Sequence, residues 1–205
     1  MVNPILEAIK DRRSIRAYEQ KLIPREIITT IIEAGNQAPC MATEEKDGVL
    51  FEPWRFVVVE SREFKQRLVQ TTLPIWRKSI ESIKETDPES YRKVMRLYEA
   101  MDEPKDMVYY SAPVIIFVIG PTEHGHAISC ALACENMMLA AHSLGLGSCY
   151  VGFGSMVKSD ATIIGALELK DNERIYGPIL LGYPKDIPEA RALSWKKKEP
   201  IIKWI

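Results

Sequence analysis

Apolar residues recur at helical spacing in the first third of this chain and gather into continuous runs flanked by turn residues in its second half. Asn3 followed by Pro4 marks a helix start, and Ile5, Leu6 and Ile9 give that helix an apolar face. "IPREIITTIIEAGNQAP" predicts a second helix, with Pro24 at its start and Pro39 at its end. Its buried stripe is Ile27, Ile28, Ile31, Ile32 and Ala34. From Cys40 to Pro53 the chain is polar and irregular around Gly48, and a loop is expected there. "WRFVVVE" predicts a strand, and "SREFKQRLVQTT" a helix capped by Ser61 with Glu63 in its first turn.

Residues 74–110 are highly charged and mostly helical in pattern. Tyr91, Met95, Tyr98 and Met101 share one face, which fits either a surface helix packed on the core or a cover over a pocket. "APVIIFVIG" predicts a strand buried on both sides. "AISCALACENMMLAAHSLGLG" predicts the longest helix, over 127–144, apolar on most sides and ended by Gly145. A helix of that kind needs neighbours all round, which points to a subunit interface. "SCYVGF" predicts a short strand, "DATIIGALEL" a helix capped by Asp160, and "RIYGPILLGYP" the last strand, with residues 185–205 as a C-terminal extension. No repeat or linker divides residues 1–205, so one α+β domain around a small sheet is expected.

Charge narrows the function. With 27 basic and 28 acidic residues the net charge is -1, so no global field draws the protein to nucleic acid or to an anionic membrane. "PVIIFVIG" and "GPILLGY" are too short to span a bilayer, and Glu7 and Lys10 interrupt any leader-like start, so a cytoplasmic protein is expected. Cys130 and Cys134 stand one helical turn apart, near His124 and His126. Their small, apolar surroundings favour buried thiols packed as hydrophobes over a metal site.

Three features carry candidate chemistry. "RRSIR" concentrates Arg12, Arg13 and Arg16 around Ser14, and guanidinium forks suit bidentate phosphate contacts. In "CYVGFG" a strand ends in glycines, so backbone N–H groups can approach a flat ligand. "WKKK" is a second positive cluster near the C-terminus.

Taken in order, "RRSIRAYEQKLIPREIITTIIEAGNQAP", "PWRFVVVE", "ENMMLAAHSLGLGSCYVGF" and "LLGYP" resemble the nitroreductase family of flavin-dependent oxidoreductases. The resemblance spans roughly residues 4–200. It implies a central, mostly antiparallel sheet flanked by helices. It also implies an intertwined homodimer with two FMN sites at its interface, the C-terminal extension reaching across the partner. By position, Arg12, Arg13 and Ser14 match the segment that grips the FMN phosphate, and Arg16 the basic residue nearer the ring. Lys196 and Lys198 match the basic pair that completes phosphate binding. Tyr150, Val151 and Gly152 match the strand end where a backbone N–H meets flavin N5. Pro39, Cys40 and Met41 match the start of a P-S-x-x-N segment along the ring edge. Here the sequence departs from the family pattern: Cys40 replaces the serine, Thr43 the asparagine and Glu52 the glutamine, and the segment is longer.

The resemblance implies a ping-pong cycle in which NADH or NADPH reduces the flavin and a small electron-poor acceptor, such as a nitroaromatic or a quinone, reoxidises it. No side-chain nucleophile is then required, because the cofactor carries the chemistry. Arg16 is the candidate positive charge near the ring, and residues 74–110 are the expected substrate cover. The enlarged 40–53 segment keeps open other flavin chemistry, such as reductive dehalogenation or flavin breakdown. The missing asparagine keeps open a non-catalytic flavin-binding role. For Cys40, inert packing is favoured over a reactive thiol.

Overall fold

A computed structural model describes residues 3–40, 44–47, 49–101, 103, 105–123, 125–187 and 200–204. Among them run α1 (Pro4–Asp11), α2 (Arg25–Asn36), β1 (Glu44–Lys46), β2 (Val49–Phe51), β3 (Arg55–Val59), α3 (Arg62–Ser82) and α4 (Pro88–Glu99). Then follow β4 (Val114–Pro121), α5 (His126–Ser143), β5 (Gly147–Tyr150), a 3-10 turn (Gly152–Ser155), α6 (Ala161–Ala166), β6 (Glu173–Ile175) and β7 (Ile179–Gly182).

The central sheet has the order β3-β4-β7-β5, with β6 also paired to β4, and its named ladders are antiparallel. All eight residues of β4 are buried, which explains its unbroken apolar run. Ile115, Phe117 and Ile119 face one core with Leu68 and Trp76 of α3, Tyr98 of α4 and Ile163 of α6. Val114, Ile116 and Val118 face a second core with Ile28 and Ile31 of α2 and Ala133, Cys134 and Met137 of α5. The sheet is therefore sandwiched between two helical layers. A Cβ on Gly35 would lie 2.6 Å from Met137 Cγ, so α2 and α5 approach too closely for any larger residue there.

The caps expected at Asn3, Ser61 and Asp160 all form: each side-chain oxygen accepts backbone N–H bonds from the first turn. Several expectations are corrected. The segment expected as a loop holds a hairpin, β1 against β2, with Lys46 opposite Val49 and Asp47 at φ 54 between them. Asp47-Gly48 is the dipeptide such tight turns favour, and the polar flanks concealed it. α3 continues through Pro74, because Leu68, Thr72 and Trp76 form one buried stripe across the proline. That packing outweighs the lost backbone bond. The expected last strand is two, β6 and β7, interrupted at Gly177-Pro178, where proline has no N–H for a ladder.

Two apolar faces remain uncovered. Ile5, Leu6 and Ile9 of α1 are 68%, 64% and 50% exposed, so this apolar face has no cover among the described residues. Ile128 and Leu132 leave α5 exposed on one side. No helix of the described residues is long and apolar enough to cross a membrane.

Candidate functional site

The arginine segment docks alongside β5. Ser14 pairs with Ser148 in a parallel bridge, and the Ile15 N–H donates to the Ser148 carbonyl at 2.9 Å. Ile15 is 4% exposed, and a Cβ on Gly147 would lie 2.8 Å from its side chain. Tyr18 anchors the far end: its hydroxyl donates to the Ile15 carbonyl and its backbone bridges to Pro184. Two of the three sequence features, "RRSIR" and "CYVGFG", are thus brought together.

The three arginines differ in what they hold. Arg13 Nη1 donates to the carbonyls of Lys10 at 2.7 Å and Arg12 at 3.0 Å, so this guanidinium satisfies the end of α1. Arg12 Nε lies 3.7 Å from Glu135 Oε1 of α5, while its Nη1 is buried without a hydrogen-bond partner among the described residues. A buried guanidinium nitrogen without an acceptor is costly, and an anion at this place would satisfy it. Arg16 is exposed and its guanidinium carbon lies 5.7 Å from the centroid of the Tyr110 ring. Beneath them the Cys149 thiol is fully buried. Burial raises its pKa, against the lowering pull of Arg16, Arg12 and the Ser14 hydroxyl.

The end of β5 supplies the other wall. The Tyr150 hydroxyl donates to the Tyr176 carbonyl, and the Val151 N–H donates to the Pro178 carbonyl at 3.1 Å. The Val151 donor is therefore engaged within the fold. Gly152 opens the 3-10 turn, and a Cβ there would meet nothing within 4 Å, which leaves its backbone approachable. Gly154 is the opposite case: a Cβ would meet Pro178 Cγ at 2.6 Å and Tyr109 Cε1 at 2.9 Å. Pro39 is exposed and Cys40 half-buried just after α2. Met41, Lys196 and Lys198 lie outside the described residues, as does Thr43.

Residues 74–110 turn much of their aromatic surface inward. Trp76 and Tyr98 are buried with ring centroids 5.5 Å apart, while Tyr91 and Met95 are half-buried. Tyr110 at the end of this region does reach the arginine segment. Sequence reading missed Glu135 and Cys149, which carry no local signal. It also missed Asp106, although an aspartate two to three residues before backbone donors is a turn former. Burial pushes the Cys130 and Cys134 thiols each up to about 12, in keeping with thiols packed as small hydrophobes.

A model of the Nitroreductase family matches residues 9–183. The chain belongs to the nitroreductase family. This nitroreductase-family chain is 31% identical over 205 residues to a protein of Methanothermobacter thermautotrophicus provisionally named NADH dehydrogenase/NAD(P)H nitroreductase, covering 98% of this chain and 87% of that one. Among solved structures it is similar to a Bacteroides fragilis nitroreductase with bound FMN, with a TM-score of 0.70, 28% identity and complete coverage of both chains. It is also 28% identical over 158 residues to iodotyrosine deiodinase 1 of Rattus norvegicus, which covers 68% of this chain and 49% of that protein. The antiparallel sheet between helical layers is the nitroreductase fold expected from the resemblance.

Proposed function

We propose that the protein is an FMN-dependent oxidoreductase that passes hydride from NADH or NADPH, by way of the flavin, to an electron-poor small molecule such as a nitroaromatic or a quinone. The observation that carries this reading is the unpartnered, buried Arg12 Nη1 on the same sheet edge as Arg16 and the open Gly152 backbone. The relatives' names and the FMN-bound neighbour support it. When bound, FMN supplies two-electron chemistry, accepting hydride from a nicotinamide and returning electrons to an acceptor.

The chain's own residues bind and orient. Arg12 and the Ser14 hydroxyl would hold the phosphate, and Lys196 and Lys198 would complete its neutralisation. Arg13 contributes by ending α1 in the geometry that presents Arg12. Arg16 places a positive charge beside the ring's pyrimidine side, where negative charge builds on reduction. The open Gly152 N–H would approach the flavin ring, and Pro39, Cys40 and Met41, which match the family's ring-edge segment, would line it. Reductant and acceptor take turns in one pocket, which accounts for the absence of a separate dinucleotide fingerprint. A second copy of the chain covers Ile5, Leu6, Ile9, Ile128 and Leu132, giving a homodimer that closes each site, and residues 74–110 shield it from solvent.

The similarity to iodotyrosine deiodinase favours a second reading, in which the acceptor is a halogenated aromatic that exchanges carbon–halogen for carbon–hydrogen and releases halide. Both are tested on purified protein: a yellow, FMN-loaded sample is bleached by NADH or NADPH without oxygen, then challenged with acceptors. Recovery of colour with a nitroaromatic or quinone supports the first reading. Recovery only with an iodinated phenol, with release of iodide, supports the second. Protein that cannot be loaded with FMN overturns both.

A further inference from the structure

Arg16 is held in an unusual way. Among the described residues it has no carboxylate within ion-pair distance, and its neighbour is Tyr110, which it meets at the ring face and at the hydroxyl. The backbone that carries this ring is strained: Tyr110 and the following Ser111 both adopt φ 51, the left-handed region that side chains other than glycine rarely occupy. Two consecutive residues in that region persist only where their surroundings over-determine them.

The surroundings do so. Asp106 is 4% exposed, and its carboxylate accepts three backbone N–H bonds: Oδ1 from Val108 at 3.1 Å and Tyr109 at 2.7 Å, and Oδ2 from Ser111 at 2.9 Å. Lys65 Nζ donates to the carbonyls of Ala112 at 3.1 Å and Pro113 at 2.6 Å, and Gln20 Nε2 to that of Ser111 at 3.0 Å. The buried Tyr109 hydroxyl donates to the Gly154 carbonyl at 2.9 Å, tying the same turn to the end of β5. One rigid turn thus touches both walls of the candidate site, through Tyr109 at the glycine turn and through Tyr110 at Arg16.

We propose that the turn of residues 106–111, clamped by Asp106, is a positioning device that uses the Tyr110 face to orient Arg16 while leaving its charge uncompensated. A glutamate in place of the ring would orient the guanidinium equally well but neutralise it. An aromatic face orients a cation through its quadrupole and adds no net charge. Among the described residues the titratable side chains coupled to Arg16 besides Tyr110 are Cys149 and Tyr18, and burial keeps both neutral. Resting on the FMN reading, the consequence is selective. Tyr110 and Asp106 are positioning residues that favour the reduced, anionic ring over the oxidised, neutral one, because only the former gains from a fixed positive charge.

The test compares Tyr110→Gly, which removes the ring at a φ that suits glycine, with Tyr110→Phe, which keeps it. Nitrogen-15 NMR of the Arg16 Nε–H without flavin reads the guanidinium order directly. Dissociation constants for oxidised and chemically reduced FMN read the effect on the site. Tyr110→Gly should broaden the Arg16 signal toward free exchange and raise the constant for reduced FMN about 2- to 30-fold more than that for oxidised FMN. Tyr110→Phe, which loses only the hydroxyl contact, should stay much closer to the parent protein than Tyr110→Gly in both measurements, and Asp106→Asn should move both in the glycine direction. An unchanged Arg16 signal in Tyr110→Gly, or equal weakening of both redox forms, overturns the proposal. Should the parent protein bind no FMN, the cofactor reading fails, and the NMR comparison alone still decides whether Tyr110 orders Arg16.

Discussion

Ser14 and Ser148, far apart in sequence, meet in a parallel backbone bridge, and the adjoining Ile15 N–H seals it with a 2.9 Å bond to the Ser148 carbonyl. This pairing runs the arginine segment beside β5, so Arg12 and Arg16 leave the backbone next to the strand that leads into the Gly152 turn. The candidate site is a product of that one register.

The arginines should separate by role. Arg12→Ala removes a buried donor with no hydrogen-bond partner among the described residues, and loss of a charge-assisted phosphate contact should raise the FMN dissociation constant about 10- to 100-fold. Arg13→Ala removes bonds to the carbonyls of Lys10 and Arg12, so it should lower the melting temperature by a few degrees while changing that constant far less. Fluorescence titration of FMN against each variant decides it. Equal weakening by both would return Arg13 to the phosphate.

Gly147→Ala tests the docking itself. Its Cβ would sit 2.8 Å from three atoms of Ile15, so either β5 or the arginine segment must shift. The cost of such overpacking is about 1–3 kcal/mol. Urea denaturation should show that loss together with weaker FMN binding. Gly152→Ala, with nothing within 4 Å of the new Cβ, should leave stability nearly unchanged and affect only the flavin.

Arg67 grips Asp160 through Nε at 2.8 Å and a second nitrogen at 2.9 Å, with Thr71 adding a 3.1 Å bond. These contacts hold the Asp160 carboxyl below its ordinary 3.8, at about 2. A depressed carboxylate stabilises the fold above the unfolded value and loses that contribution as pH falls through the folded one. The gap in melting temperature between the parent protein and Arg67→Ala should therefore hold steady from pH 7 to about pH 5, begin to shrink below about pH 4 and close as pH falls to about 2. No gap at pH 7, or one that does not shrink in acid, would show that the pair does not stabilise the fold.

Cys130 and Cys134 should resist alkylation. At a pKa of about 12, roughly one thiol in ten thousand is ionised at pH 8, and both are buried besides. Mass spectrometry after brief iodoacetamide treatment should find neither labelled until the protein is unfolded. Labelling of both in the native state, suppressed by added zinc, would instead support a metal site.

The uncovered faces of α1 and α5 predict self-association. Leu6 and Leu132 are 64% and 39% exposed in the single chain, and charge placed there opposes burial against a second copy. Leu6→Glu combined with Leu132→Glu should convert a dimer to monomers in analytical ultracentrifugation and release flavin. A parent protein that sediments as a monomer would remove the homodimer from the proposal.

Much of the fold was legible locally. Asn3, Ser61 and Asp160 announce helix starts because a side-chain acceptor beside free N–H groups is a short-range event. The run 114–121 announces a strand buried on both faces because every position must be apolar. Pro74 misleads in the other direction. Its cost is local, but the stripe of Leu68, Thr72 and Trp76 that outweighs it is fixed only by packing on the sheet. Asp47-Gly48 was readable as a hairpin turn but hidden by charged flanks.

The sequence by itself determined the arginine cluster, the glycine-ended strand and the alternation of helices with apolar runs. Together these sufficed for the family resemblance, because such patterns follow from short-range propensities and periodicity. Only the tertiary structure decided which arginine keeps a buried nitrogen without a partner, which one spends its donors on α1, and which one rests on Tyr110. Those assignments depend on Glu135, Cys149 and the Asp106 turn, residues brought close by sheet register and helix packing rather than by neighbourhood along the chain.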